Sequence, residues 1–359
     1  MRTLFALAAA AGLVASAAAQ DPKKDEKKAE PKKPEVTLKI GDPAPPVRAT
    51  KWLQGAEVKE FAKDKVYVME FWATWCGPCI VMMPHMGELQ AMYKDKGVTF
   101  IGFTKKDQNN SLEKVQALVA KRGPKLGYTF AYADDAETYD AWMKASGRGG
   151  IPNCFVVDKA GKVAYIGHPM YLDVVLPKVV AGTWTESDTA AVAAVEKEVD
   201  AVFEATRDTN PEVFLNKLAA FERTHPELAG IPYFNGPKIS ALLKAKKTDE
   251  AKKTIEALIA KGIKADDHPV LLLMSSVACS PAAGGDKELL ALSLKAAEAG
   301  LKLAGEKDAI ALLTVAQAHF ANGDKAKAKD FGAKASAAAE SESAGLKNYV
   351  ESQVNKFDD

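Results

Sequence analysis

The chain has 359 residues, 47% hydrophobic and 26% charged, with 48 Lys and Arg set against 47 Asp and Glu for a net charge of +1. That length predicts two domains rather than one, and so balanced a charge argues against nucleic acid as the main partner. Four cysteines in a chain this long do not make a structural disulfide framework.

The N-terminus reads as a targeting segment, 1–19. Arg2 supplies a positive start, 4–15 an apolar stretch, and Ala17, Ala18 and Ala19 a small-residue cleavage site before Gln20. No cysteine follows that could carry a lipid anchor. The mature chain is therefore expected to be exported, to a periplasm or an equivalent compartment. No later run of eighteen apolar residues predicts a transmembrane helix once the signal is cleaved. Residues 20–36 alternate Lys with acids and Pro and contain no aromatic residue. They cannot bury a core, so a disordered charged linker is expected.

Strand and helix signals then alternate through 37–183. A buried strand is predicted at 66–72 and a second at 98–103. Between them lies a helix from Ile80 onward, with Met86, Leu89 and Met92 three residues apart. Ser111 opens a helix whose apolar face is Leu112, Val115, Leu118 and Val119, and Gly123-Pro124 is expected to end it. Another helix is predicted over 136–145, before a glycine loop at 147–150. Strand, turn and strand follow from Cys154 past Asp158 and Gly161 to Val163. The alternation predicts an α/β fold with a central sheet covered on both faces.

After 183 the strand signals vanish, and 184–359 is predicted to be all helix. Helices are expected at 187–205 and from Pro211, where proline occupies the first turn. Lys247-Thr248-Asp249, Gly285-Asp286-Lys287 and Gly323-Asp324-Lys325 recur at spacings of 37 and 38, each between two helical stretches. This is the texture of helical hairpins, similar to tetratricopeptide repeats though longer in period, or of a bundle with evenly spaced loops. Either would offer a partner-binding surface.

The densest chemical signal is Trp75-Cys76-Gly77-Pro78-Cys79. Two intervening residues bring the thiols within disulfide distance, between a predicted strand and a predicted helix. A cysteine at a helix N-terminus faces unpaired N–H groups and the positive end of the macrodipole, which favours thiolate over thiol. Cys76 is thus the expected nucleophile. Zinc at this pair would need two further ligands at suitable spacing, which the sequence does not supply, so no metal or other cofactor is expected.

The run Phe71-Trp72-Ala73-Thr74-Trp75-Cys76-Gly77-Pro78-Cys79 resembles the thioredoxin superfamily, and most closely its exported TlpA-like and ResA-like thiol-disulfide oxidoreductases. The segment from Ile40 to Pro45 resembles the family's usual start, Pro84 its helix-kinking proline, and Gly150-Ile151-Pro152 its cis-proline loop. The resemblance implies a thioredoxin-like fold, a central mixed sheet flanked by helices, followed here by the all-α helical-hairpin domain. It implies a redox-active Cys76–Cys79 disulfide with Cys79 resolving the mixed disulfide. Glu70 would be the buried acid that accepts the Cys79 proton. Trp75, Gly77, Pro78, Ile151 and Pro152 would hold substrate. Gly-Pro between the cysteines resembles thioredoxin, near about −270 mV, rather than the oxidant DsbA, near about −120 mV. A reductase or isomerase of protein disulfides is therefore expected, with protein thiol clients and a membrane or periplasmic electron donor as partners. A thiol peroxidase of the redoxin group and a non-catalytic adaptor are the alternatives. The first lacks the Pro and Thr expected at fixed positions before its cysteine, and the second leaves the intact CxxC unexplained.

The sequence departs from the family pattern at Met82, where relatives carry an acid, in an apolar helix start that is either core or a partner surface. Cys154 and Cys279 read as small buried residues, with an alternative disulfide open to Cys154. His85 reads as an exposed helix residue.

Overall fold

A computed structural model describes residues 36–358, apart from 341 and 343. The expected signal peptide at 1–19 and residues 20–35 of the expected linker lie outside the described residues.

Six strands form one sheet: β1 (Lys51–Gln54), β2 (Val66–Phe71), β3 (Val98–Lys105), β4 (Thr129–Ala133), β5 (Asn153–Val157) and β6 (Val163–Gly167), in the spatial order β1-β4-β3-β2-β5-β6. β3 runs parallel to both β2 and β4, while β1, β5 and β6 pair antiparallel. The sheet is mixed, as a thioredoxin-like fold requires. Every residue of β2 is buried, because both faces are covered. Its side chains alternate between two cores. Val66, Val68 and Trp72 enter the core that contains Met82, Met83 and Met86. Tyr67, Met69 and Phe71 enter the one built around Trp142 and Phe155.

Helix α1 (Gly77–Tyr93) follows β2, α2 (Leu112–Leu126) follows β3, and α3 (Glu137–Tyr139) runs into a π-turn at Asp140–Lys144. Sequence reading stops α2 at Gly123-Pro124, whereas the helix continues to Leu126 and closes at Gly127, whose φ is +70°. Pro124 stands in the last turn, where its missing N–H forfeits a single helical bond, and burial of Arg122 and Leu126 on that turn outweighs it. β1 and β4 gave no alternating signal. β1 is a four-residue edge strand broken by a bulge, and β4 is buried throughout.

α4 (Leu172–Ala181) closes the sheet-bearing part. Among the described residues nine helices follow: α5 (Glu186–Glu204), α6 (Pro211–Thr224), α7 (Asn235–Lys244), α8 (Thr248–Ala265), α9 (His268–Ala278), α10 (Lys287–Ala304), α11 (Ala309–Ala321), α12 (Lys325–Ala339) and α13 (Ala344–Val354). Each packs on the next. The three recurring triplets fall at the turns α7/α8, α9/α10 and α11/α12. Two of them cap the helix that follows: Asp286 accepts from Glu288 and Leu289 N–H at 3.0 Å, and Asp324 from Lys327 N–H at 3.1 Å. Among the described residues no helix is long and apolar enough to cross a membrane.

The apolar core does not stop at residue 183. The cluster holding Cys76, Cys79 and Met82 continues through Val175 and Val179 into Val192, Val199, Phe214, Phe221 and Phe234. Trp184 marks the passage: its indole N–H donates to Ala164 O on β6 at 2.8 Å. Polar staples add to this contact. Arg122 on α2 meets Asp267, the residue before α9, at 3.4 Å with both side chains buried, and Lys261 on α8 meets Glu88 on α1 at 3.1 Å.

Candidate active site

β2 delivers the chain to the redox motif, and α1 starts inside it. Cys76 is the N-cap of α1, and its Sγ accepts a hydrogen bond from the Cys79 amide at 3.3 Å. Pro78 falls in the first turn, where the missing N–H costs nothing. The two cysteines form a disulfide with their Cα atoms 5.3 Å apart. Cys79 is fully buried and Cys76 is only 4% exposed, whereas Trp75 beside it is 55% exposed. The Trp75 indole N–H donates to Asp107 Oδ2 at 2.9 Å, which fixes the ring at the mouth of the site.

The turn between Trp72 and Cys76 is held from beneath by one buried asparagine. Asn110 Oδ1 accepts from the Thr74 amide at 2.9 Å and from its hydroxyl at 2.8 Å. The Asn110 amide donates to Thr104 Oγ1 at 2.8 Å and to Lys105 O at 2.7 Å, and Thr104 donates to Trp72 O at 2.6 Å. Both ends of the loop are thereby tied to β3. Sequence reading passed over Asn110, Thr104 and Asp107 because their partners lie 32 to 36 residues away.

Glu70 is 1% exposed, and among the described residues neither carboxylate oxygen has a hydrogen-bond partner. Alternation along β2 turns it to the same face as Val68 and Trp72, the face on which α1 and the disulfide pack. Burial without a compensating partner raises its pKa to about 8. Cys154 stands directly opposite on β5. It is a buried free thiol, not an alternative disulfide partner, and burial together with the Glu70 charge pushes its pKa well up, so it stays an inert thiol.

Across from the disulfide, the Ile151–Pro152 peptide is cis. A groove of about 400 Å³ beside the redox turn is lined by Trp75, Asp107, Tyr139, Gly149, Gly150 and Ile151. Ile151 is half-buried and Pro152 buried, while Gly77 and Pro78 are exposed. Of the residues predicted to hold substrate, Trp75 and Ile151 line this groove, and Ile151 also packs against the core cluster that holds Cys76 and Cys79.

One contributor comes from the helical half. Tyr233, between α6 and α7, donates its hydroxyl to Pro78 O at 2.9 Å, inside the redox turn itself. Its ring packs edge-on against His168, with centroids 5.5 Å apart. A tyrosine 155 residues from its acceptor leaves no local signal in the sequence.

Three other expectations resolve at this point. Met82 and Met83 are fully buried, so the missing acid at Met82 is replaced by core packing. His85 is not an exposed helix residue. It is half-buried and pairs through Nε2 with Asp173 Oδ2 on α4 at 2.6 Å. Burial acts to lower its pKa, but the hydrogen bond to Asp173 and the nearby Glu88 carboxylate prevail and raise it to about 9. Cys279 is a free, half-buried thiol just beyond α9.

A sequence profile of the Redoxin family matches residues 39–170. Over 155 residues the chain is 33% identical to protein FixW of Rhizobium leguminosarum, which spans 42% of this chain and 70% of FixW. The chain belongs to the redoxin group of the thioredoxin superfamily. It is 35% identical over 127 residues to the thiol-disulfide oxidoreductase ResA of Bacillus anthracis, covering 35% of this chain and 68% of that protein. For ResA of Geobacillus thermodenitrificans the identity is 30% over 126 residues, covering 35% and 60%. Among solved structures, the thioredoxin domain of a thiol-disulfide oxidoreductase from Bacteroides vulgatus is similar at 23% identity and a TM-score of 0.33, over 40% of this chain and 99% of that one. FixW and the two ResA proteins each match less than half of the present chain.

Proposed function

We propose that this redoxin reduces or isomerises disulfides of exported polypeptides, with Cys76 attacking and Cys79 resolving. The observation that carries the reading is the Cys79 amide directed at Cys76 Sγ from the first turn of α1. A sulfur so placed is favoured as thiolate by an N–H donor and the helix dipole together. In the dithiol state, Cys76 thiolate attacks a client disulfide, one client sulfur leaves as thiolate, and a mixed disulfide forms. Cys79 then loses its proton, attacks Cys76 Sγ and releases the second client sulfur. Two electrons pass to the client, and the two client thiolates take up two protons.

Glu70 is the proposed proton carrier. With a pKa near about 8 it is mostly protonated at neutral pH in the disulfide state. It can give that proton to Cys79 when an incoming donor thiolate opens the disulfide, and take it back when Cys79 attacks the mixed disulfide. Trp75, Gly77, Pro78, Ile151 and Pro152 are proposed to hold the client along the groove, with backbone groups of Ile151 pairing to it in strand fashion.

We further propose export by the 1–19 signal and re-reduction by a membrane or periplasmic donor. The division of labour at residue 183, with redox chemistry before it and client choice in a tetratricopeptide-like helical half after it, belongs to the same proposal.

The test is reduction of insulin with dithiothreitol as electron source. Cys76→Ser should abolish turnover, and Cys79→Ser should accumulate a mixed disulfide visible on a non-reducing gel. The reduction potential, read by equilibration with glutathione and dithiothreitol buffers, should lie near that of thioredoxin, about −270 mV. A value near that of DsbA would reverse the direction of the proposal.

A further inference from the structure

Trp75 walls two grooves. One is the groove toward the Ile151 loop; the other is a cleft of about 960 Å³ between the start of α1 and the helical half. Trp75, Ile80 and Val81 line it from the redox side, and Pro269, Leu272 and Ile310 from α9 and α11. Its size sits at the upper end for a binding cleft, and the Redoxin profile match ends at residue 170, before α9 and α11.

The charged groups bordering this cleft are already engaged. Lys114 pairs with Glu342 at 3.8 Å across the mouth, and Asp308 accepts from the Ala311 amide at 2.9 Å as the cap of α11. His268, on the wall beside Pro269, is held neutral by burial, its pKa lowered to about 3. The wall between these border groups is mostly apolar, formed by Trp75, Ile80, Val81, Pro269, Leu272 and Ile310. A charged segment laid against it would lose hydration.

We propose that this cleft seats apolar residues of the client polypeptide on one side of its disulfide, so that α9 and α11 select clients with hydrophobic residues near the cystine. The occupant follows from continuity. Trp75 separates the two grooves next to Cys76, so a chain extended over Cys76 enters the Ile151 groove on one side and this cleft on the other. The proposal rests on the exchange reading above and names its substrate class.

The experiment uses full-length protein reduced with dithiothreitol and desalted, mixed in single turnover with three disulfides. Two are symmetric disulfide dimers of short peptides, one with Leu, Phe and Val around the cysteine, the other with Glu and Lys in the same places. The third is 5,5′-dithiobis(2-nitrobenzoate). The apolar peptide should oxidise the protein at least about tenfold faster than the charged one, the discrimination that a few apolar side chains provide. In Ile310→Lys that ratio should fall to within about threefold of unity, and a general change in dithiol reactivity would leave the ratio untouched. Equal rates for the two peptides with the unaltered protein overturn the proposal, and that comparison stands even if the variant fails to fold. A ratio unchanged in folded Ile310→Lys also overturns it, as does sedimentation showing that a second copy of the chain fills the cleft. Oxidation by none of the three, the small disulfide included, points instead to failure of the exchange reading, and this proposal falls with it.

Discussion

The hydroxyl of Tyr233 donates to the carbonyl oxygen of Pro78 at 2.9 Å, so the helical half holds the redox turn directly. A neutral hydrogen bond of this kind contributes about 1 kcal/mol. Tyr233→Phe keeps the ring against His168 and removes only the donor. The bond is made with the disulfide closed, so its loss should favour the dithiol and raise the reduction potential by at most about 20 mV. Equilibration with glutathione buffers reads that shift. A potential unmoved beyond error would mean that Tyr233 only packs.

Glu70 makes stability depend on pH in a predictable direction. Its folded pKa of about 8 lies above the usual carboxylate value, so the folded state holds a proton that the unfolded state has already released. Stability is therefore full below the unfolded pKa and falls as pH rises through 8, by on the order of 5 kcal/mol in all. Chemical denaturation of the oxidised protein at pH 5 and pH 9 should show this fall, and Glu70→Gln should shrink it to the part that His85 contributes. The same substitution should slow release of client from the Cys76 mixed disulfide by about 100-fold if Glu70 carries the proton. A shrunken pH slope with no slowing would leave Glu70 as a buried acid without a catalytic part.

His85 gives a second pH signature at a higher window. Its pKa, raised to about 9 by Asp173 and Glu88 against the opposing effect of burial, means that the protonated ring stabilises the fold. That contribution is complete below the ordinary histidine pKa and is lost as pH climbs through 9. His85→Gln should cost on the order of 2 kcal/mol at pH 6 and close to nothing at pH 10. Melting temperatures of the two proteins should converge across that interval. A constant difference would show that His85 acts by packing alone.

Asn110 tests how the turn is held. Asn110→Ala leaves the Thr74 amide, the Thr74 and Thr104 hydroxyls and the Lys105 carbonyl short of a partner around one fully buried position. The expected cost is about 3 kcal/mol, because several buried groups lose their partner together. Amide hydrogen exchange at Thr74 should quicken before that of β2 does. Uniform loss of protection across the sheet would instead mean that Asn110 supports the whole domain.

The sequence by itself determined the redox turn, the helix it caps, the strand that leads into it and the alternation of strand and helix around them. These are local matters. Periodicity marks β2 and α1, and the spacing of Cys76 and Cys79 places both sulfurs at one helix start. Even the expectation for Glu70 could be made locally, since apolar neighbours on an alternating strand predict burial. Only the tertiary structure decided what meets those elements. Asn110 under the turn, Tyr233 on Pro78, Asp173 on His85 and the α9–α11 wall facing Trp75 are contacts across 36, 155, 88 and about 190 to 240 residues of chain. The continuous core beneath α1 that runs into α5 and α6 belongs with them. Each depends on which faces the fold lays together, and a side chain carries no mark of a partner so distant until the helices have packed.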